Sequence, residues 1–222
     1  MQHNHIVSSY DDELLKVETL ILSMGSTAEQ MLEKAVISLC TADNALAKEV
    51  IKEDQKVNTG LNELTEQAQK ILALRSPLAI DLRAVISAIQ VSLNLERVGD
   101  LAKNIAKLGR KHDITISDDI RSEIEMMAKR AQQSVHNALS AYRQNDTQQA
   151  LEVHQNDQLL DAMHKKLSKQ IILDIKASPD DIDATIHLLF VSRHLERIGD
   201  HAKNIAEAAI FKVDGVIYEP ED

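Results

Sequence analysis

The sequence predicts an all-α protein built as two tandem three-helix bundles, six long helices in all. Its 222 residues include only 6 Gly and 3 Pro, and only 2% are aromatic, a composition that favours helices over strands. Neither Gly nor Pro occurs between Gly109 and Pro179. A segment of the first half recurs in the second half, which indicates two similar units.

Three helix starts are marked by serines. Ser76 precedes a proline, and Ser178 precedes a proline and two aspartates. Serine is a good N-cap, proline suits the first helical position, and early carboxylates complement the helix dipole. Ser117, which precedes two aspartates, predicts a third start by the same reasoning.

Helix ends and turns complete the order of elements. Gly109 followed by three basic residues predicts a C-terminus, so the segment around 110–116 is the best candidate for a linker. Polar segments at 41–44 and 145–147 predict softer turns. The predicted helices cover residues 8–41, 44–74, 77–109, 117–143, 146–176 and 179–210.

The strongest pattern is an internal repeat. LERVGDLAKNIA at Leu95–Ala106 recurs as LERIGDHAKNIA at Leu195–Ala206, identical at ten of twelve positions and offset by 100 residues. The register continues back to Asp81 and Asp181 without a gap. We therefore predict a first bundle over 1–112, a second over 113–211 and a C-terminal tail over 212–222.

Charge and composition exclude several classes of function. The 25 Lys and Arg against 35 Asp and Glu give a net charge of −10, which disfavours nucleic acid and anionic lipid as partners. The longest uncharged stretches, such as Ala84–Leu95, are too short to span a bilayer, and the N-terminus lacks the pattern of a signal peptide. The lone Cys40 excludes an internal disulfide and a thiolate zinc cluster. We expect a cytoplasmic protein without membrane insertion.

The repeated helix carries a polar stripe. Residues four apart lie on one face of a helix, and the stripes are Glu96, Asp100 and Asn104 in the first half and Glu196, Asp200 and Asn204 in the second. Glycine in mid-helix is unfavourable by about 1 kcal/mol relative to alanine. Gly99 and Gly199 beside these stripes therefore predict close approach of another backbone or of a bound group.

Counting residues across each turn brings further acids to the same height. In an antiparallel pair joined near Ser76, Asp54 lies level with Glu96 and Asp100. Around the second turn, Asp157 pairs with Asp200 and Asp161 pairs with Glu196. Each half is thus predicted to gather carboxylates from two helices.

Clustered carboxylates need a cation or raised pKa values. We predict metal sites made of Asp157, Asp161, Glu196 and Asp200 in the second half and of Asp54, Glu96 and Asp100 in the first. Asn58 replaces a carboxylate, so the first site is expected to bind less tightly. The ion is divalent or trivalent, either iron, manganese, magnesium or zinc. Secondary candidate ligands are Asn58, Asn104, Asn204 and His201.

Other interpretations of these residues remain open. One alternative is that the acids form solvated faces or salt bridges, with Lys103 and Lys203 balancing Asp100 and Asp200. His187, His194 and His201 recur every seven residues, as in a row of metal ligands, but their stripe is about a third of a turn from the acidic one, so packing or surface positions are favoured, with His201 the best placed to assist a ligand. A carboxylate-bridged metalloenzyme is disfavoured because no histidine has a glutamate three residues before it, as in di-iron bundles. A metal-free helical adaptor is the third alternative.

The paired motifs ERVGDLAKNIA and ERIGDHAKNIA resemble the PhoU family of bacterial phosphate-signalling regulators, over about 6–211 of this chain. The resemblance implies a non-enzymatic negative regulator of phosphate signalling and uptake. It implies as partners the phosphate transporter ATPase PstB and the sensor histidine kinase PhoR, and a homodimer. It also implies one metal site per bundle on the acidic motifs, on a partly exposed face that is offered to partner proteins.

Overall fold

In a computed structural model, the chain forms six α-helices. They are α1 (His3–Cys40), α2 (Asn44–Arg75), α3 (Ile80–Lys111), α4 (Asp118–Gln144), α5 (Thr147–Ala177) and α6 (Ile182–Asp214). The structure describes residues 3–111, 116–177, 182–216 and 218, and within these ranges it contains no strand. The predicted all-α class is confirmed.

Helices α1 and α6 extend beyond their predicted bounds. Helix α1 begins at His3 rather than at residue 8, and α6 continues to Asp214 rather than ending at 210. Gly215, at φ +74°, closes α6 with its amide donating to the Phe211 carbonyl at 3.0 Å. The predicted tail is also not free of structure, because the Tyr218 ring meets the His154 ring edge-on at 4.7 Å.

The predicted helix start at Ser76 is wrong. Ser76 is the C-cap of α2 and takes the left-handed conformation with φ 47°, which is not the extended backbone that an N-cap requires. Helix α3 begins three residues after the proline, at Ile80, and the preceding Ala79 also has φ 47°. The Asp81 amide donates to the Leu78 carbonyl at 3.2 Å and opens the first turn.

The other capping predictions have different outcomes. Ser117 caps α4 by accepting the Ile120 amide, as predicted. Asp43 caps α2 by accepting two backbone amides, a role that the polar pattern at 41–44 located without naming the residue. Asn145 ends α4 in the left-handed conformation. The predicted start at Ser178 lies outside the described residues.

Helices α1, α2 and α3 pack against one another, as do α5 and α4 with α6. The two sets meet where α3 packs on α6 and α1 packs on α4. Helices α3 and α6 run antiparallel, because Arg83 near the start of α3 donates to the Val213 carbonyl near the end of α6. Leu95 and Leu195 are both fully buried, so the repeated helices supply the centre of the core.

None of the helices in the described ranges carries an apolar stretch of the length that crossing a bilayer requires.

Candidate functional site

The first acidic cluster consists of Asp54 and Asn58 on α2 and of Glu96 and Asp100 on α3. The Lys103 ammonium lies between two of its acids, donating to Asp54 Oδ2 at 2.7 Å and to Asp100 Oδ1. Asn58 donates its side-chain amide to the same Asp54 Oδ2 at 3.0 Å. The two helices therefore stand in the predicted register, with Asp54 level with Asp100.

Lys103 sets the electrostatics of the first acidic cluster. Burial alone would raise the pKa of Asp100, but the hydrogen bond and charge of Lys103 lower it below its ordinary value. Glu96 differs, since burial and then the charge of Asp100 raise its pKa. Lys103 thus pairs with two of the three carboxylates of this cluster.

The second acidic cluster consists of Asp157 and Asp161 on α5 and of Glu196 and Asp200 on α6. Its lysine, Lys203, donates to Asp157 Oδ2 at 3.1 Å. Asp157 and Glu196 are each 9% exposed, so both carboxyl groups are largely withdrawn from water.

Negative charge accumulates in the second acidic cluster. Burial first, and then the charges of Asp200, Asp161 and Asp157, raise the pKa of Glu196. Burial and the charge of Asp157 likewise raise the pKa of Asp200, in spite of Lys203. Carboxyl groups on both helices are therefore near enough to raise the pKa values of Glu196 and Asp200.

Glu196 carries the clearest sign of an incomplete site. Its Oε1 accepts from Arg193 at 2.6 Å, one turn earlier on the exposed side of α6. Its Oε2 is buried without a hydrogen-bond partner. A buried carboxylate oxygen left without a donor is costly, so a cation at this point would lower the energy of the cluster.

The two mid-helix glycines differ. A Cβ at Gly199 would lie 2.7 Å from Leu160 Cδ1 and 3.1 Å from Asp157 Oδ1, so side chains of α5, and not its backbone as expected, approach α6 closely there. A Cβ at Gly99 would lie 3.5 Å from the nearest atom of Val57, which is an ordinary contact. The expectation of close approach at Gly99 is therefore wrong, because the space for a methyl group is present.

Two of the secondary candidate residues lie at the contact between α3 and α6. His201 Nδ1 is 2.9 Å from Asn94 Oδ1, and Asn204 donates to the same oxygen at 3.1 Å. Burial, followed by the charges of Arg197 and Arg97, lowers the pKa of His201 to about 4. These hydrogen bonds join the two bundles rather than extending the second acidic cluster.

Asn104 lies at the opposite end of the same contact, beside Phe190 and His194 of α6. Among the ranges that the structure describes, no group of three or more His, Cys, Asp or Glu side chains is arranged to hold a metal ion. Lys103 and Lys203 bind the acids instead, so metal binding would require each ammonium to move aside.

Sequence reasoning missed two residues that contact these sites. Arg193 is three residues before Glu196 on one helix, a spacing that by itself predicts an ion pair. Asn94 accepts the hydrogen bonds of the second half, and its counterpart in the repeat is His194. That difference, directly before the nearly identical segments 95–106 and 195–206, was the available signal.

The chain is similar to known proteins over nearly its whole length. A family model described as PhoU domain matches residues 21–109 and 124–209. The chain is 36% identical over 214 residues to the phosphate-specific transport system accessory protein PhoU homolog of Caulobacter vibrioides, which covers 95% of this chain and 92% of that protein.

Solved structures agree with this similarity. The crystal structure of PhoU from Pseudomonas aeruginosa matches with a TM-score of 0.89 at 33% identity, covering 93% of this chain and 100% of that one. The crystal structure of the phosphate transport system regulatory protein PhoU from Streptococcus pneumoniae matches with a TM-score of 0.87 at 27% identity, covering 95% and 100%.

Proposed function

Since the chain belongs to the PhoU family, we propose that it is an accessory protein of a phosphate transport system that holds phosphate-starvation signalling off when phosphate is plentiful. Its relatives are named accessory or regulatory proteins rather than enzymes, which supports a non-enzymatic role. The similarity covers both repeats, so the proposal concerns the whole chain and not one bundle.

The finer proposal is an adaptor role in the cytoplasm, between the transporter ATPase PstB and the sensor kinase PhoR. The second acidic cluster is the proposed docking site. The observation that carries this is the surplus of negative charge around the buried, unpartnered Glu196 Oε2. Charge of one sign concentrated at one place favours specificity in a protein contact.

A bound metal ion is part of the proposal. Asp157, Asp161, Glu196 and Asp200 would hold it in the second half, since the raised pKa values of Glu196 and Asp200 and the unpartnered Glu196 oxygen fit a cation. The ion would supply positive charge at the docking site. The first acidic cluster would bind more weakly, because Lys103 and Asn58 already satisfy Asp54.

The docking role is tested in phosphate-rich cells with the double variant Glu196→Ala, Asp200→Ala. We expect kinase restraint to be lost, measured with a reporter of the phosphate-starvation response, while protein levels stay normal. The matched control is Glu63→Ala, Glu66→Ala, which removes two exposed acids of α2. Unchanged repression in the first variant, at equal protein levels, contradicts the docking role of the acidic cluster.

The metal is tested separately by elemental analysis of protein purified without chelator. We expect bound iron, manganese, magnesium or zinc in the parent protein and a loss of it in the Glu196→Ala, Asp200→Ala variant. The alternative is a metal-free adaptor, which the contacts of Lys103 and Lys203 favour. Absence of metal from the parent protein, together with lost repression in the variant, would support that alternative.

A further inference from the structure

A groove between α3 and α6 lies outside both acidic clusters. It has a volume of about 510 Å³ and is lined by Asn104, Lys107, Leu108, Arg110, Phe190 and His194. We call it the cationic groove. Its volume falls within the range of about 300–1,000 Å³ that is usual for small-molecule sites.

The cationic groove is lined by positive charges, whereas the chain as a whole is negative. The chain has a net charge of −10, yet the described residues that line the groove include Lys107 and Arg110 and no carboxylate. Both cations are exposed at the rim. Anions are therefore attracted to this place on a surface that otherwise repels them.

The groove also combines apolar and polar lining. Phe190, one of only two phenylalanines in the chain, is 51% exposed. His194 Nδ1 is buried without a hydrogen-bond partner. An exposed aromatic face beside polar groups is suited to stacking with a flat ring.

The internal repeat supplies a comparison within the same molecule. Because α3 and α6 are antiparallel repeats, the opposite end of their contact holds the counterparts of the groove residues, which are Gln90, Asn94, Asn204, Glu207, Ala208 and Ile210. At that end Asn94 accepts hydrogen bonds from Asn204 and His201, and Ala208 and Ile210 are buried. One end of the contact is thus closed by its own side chains.

The cationic groove has none of these closing features among its described residues. Lys107 and Arg110 stand where the other end has Glu207 and the buried Ile210. Phe190 stands where the other end has Gln90. The two copies have diverged toward a closed contact at one end and an open one with cations and an aromatic ring at the other.

We propose that the cationic groove binds a small organic anion in which a phosphate or carboxylate group is attached to a flat ring. Lys107 and Arg110 bind the anionic group, and Phe190 stacks on the ring. Asn104 and His194 offer hydrogen bonds to the polar atoms of the ring. This inference goes beyond the proposed function and does not depend on it.

The site lies on the contact that joins the two bundles. A ligand there touches α3 through Lys107 and Arg110 and α6 through Phe190. Its binding therefore stabilises the packing of α3 on α6 by an amount that depends on ligand concentration. A ligand of this kind would report the level of a metabolite to both halves of the molecule.

The test uses the purified full chain and the fluorescent aromatic anion anilinonaphthalene sulfonate. The competitors are AMP and benzoate, which join a ring to a phosphate and to a carboxylate, and adenosine and inorganic phosphate, which each supply one part only. We expect AMP or benzoate to displace the dye at about tenfold lower concentration than either part alone.

The variants locate the binding. Lys107→Gln with Arg110→Gln is expected to weaken dye and competitor binding about tenfold, and Phe190→Leu to weaken the ring-bearing ligands while leaving inorganic phosphate unchanged. The matched control, Lys52→Gln with Lys70→Gln, removes two exposed cations of α2. Circular dichroism melting curves verify that each variant is folded.

Three results would overturn the proposal. One is unchanged binding in the Lys107→Gln, Arg110→Gln variant. Another is an equal loss in the α2 control, which would mean non-specific attraction to positive charge. The third is displacement of the dye by adenosine as readily as by AMP, which would leave the two cations without a role.

Discussion

Lys103 and Lys203 occupy the same position of the repeat, but different numbers of carboxylates surround them. Lys103 binds Asp54 and Asp100 together, and Asn58 donates a further hydrogen bond to Asp54. Lys203 binds Asp157, while Asp161 stands where the first half has Asn58. A single exchange of amide for carboxylate therefore gives the second cluster four acids beside its lysine where the first has three.

This difference predicts opposite effects of the same substitution. In chelator-treated protein at neutral pH, Asp200→Asn should raise the melting temperature by about 2–4 °C, because it removes a carboxylate that its neighbours repel. Asp100→Asn should lower it by a similar amount, because Lys103 loses a partner. Calorimetry of the two variants beside the parent protein measures both changes.

The pH dependence of each effect has a definite sign. The folded-state pKa of Asp200 is raised, so the cost of its charge is present at neutral pH and disappears as pH falls and the carboxyl group is protonated. The folded-state pKa of Asp100 is lowered, so its contribution persists above the ordinary aspartate pKa and is lost only as pH falls through the lowered value. Shifts of the same sign in both variants would refute the charge assignment.

At the scale of single helices, the two mid-helix glycines form a second matched pair. Gly99→Ala should stabilise the protein by about 1 kcal/mol, since alanine is the better helix former and the site has room. Gly199→Ala should destabilise it, because a methyl group 2.7 Å from Leu160 Cδ1 costs about 1–3 kcal/mol in overpacking and outweighs the gain in propensity.

Urea denaturation of both glycine variants measures these changes. Gly99 of α3 and Gly199 of α6 occupy the same position of the repeated helix, but Gly99 faces Val57 and Gly199 faces Leu160. The repeat thus acts as its own control. Equal destabilisation of the two variants would mean that the glycines serve the helix itself rather than the approach of α5.

The length and number of helices were predictable from the sequence, but whether Ser76 ends α2 or begins α3 was not. Ser76 before a proline suits either the end of one helix or the start of the next. Ser76 and Ala79 both have a left-handed φ of 47°, so Ser76 ends α2 and α3 begins only at Ile80. Local propensity does not contain that choice, because it depends on how α2 and α3 pack.

The candidate site was predictable to the same extent. A fixed rise per residue places Asp54 beside Asp100 across the turn, so the grouping of acids followed from counting. The hydrogen bonds of His201 and Asn204 to Asn94 did not follow from counting, because they depend on which face of α3 meets α6. Contacts between the two bundles involve a packing choice that a pattern within one helix does not specify.

For the whole molecule, the contact between α3 and α6 carries a pH dependence of its own. His201 has an ordinary pKa of 6.5 when unfolded, whereas burial lowers it to about 4 in the folded chain. Between about pH 4 and pH 6.5, the unfolded chain therefore binds a proton at His201 that the folded chain does not bind. Stability is fully present above about pH 6.5 and falls as the pH drops toward 4.

The variant His201→Leu tests this contribution, because its counterpart in the repeat, Leu101, is accepted at 5% exposure. Since the ring keeps some contact with water, we expect the pH-dependent loss between pH 7.5 and 5 to shrink by about 1–2 kcal/mol, or about 5 °C in melting temperature. A parallel decline of His201→Leu and the parent protein would assign the acid sensitivity elsewhere. A smaller decline in His201→Leu would show that the contact between the two bundles responds to pH through one half-buried imidazole.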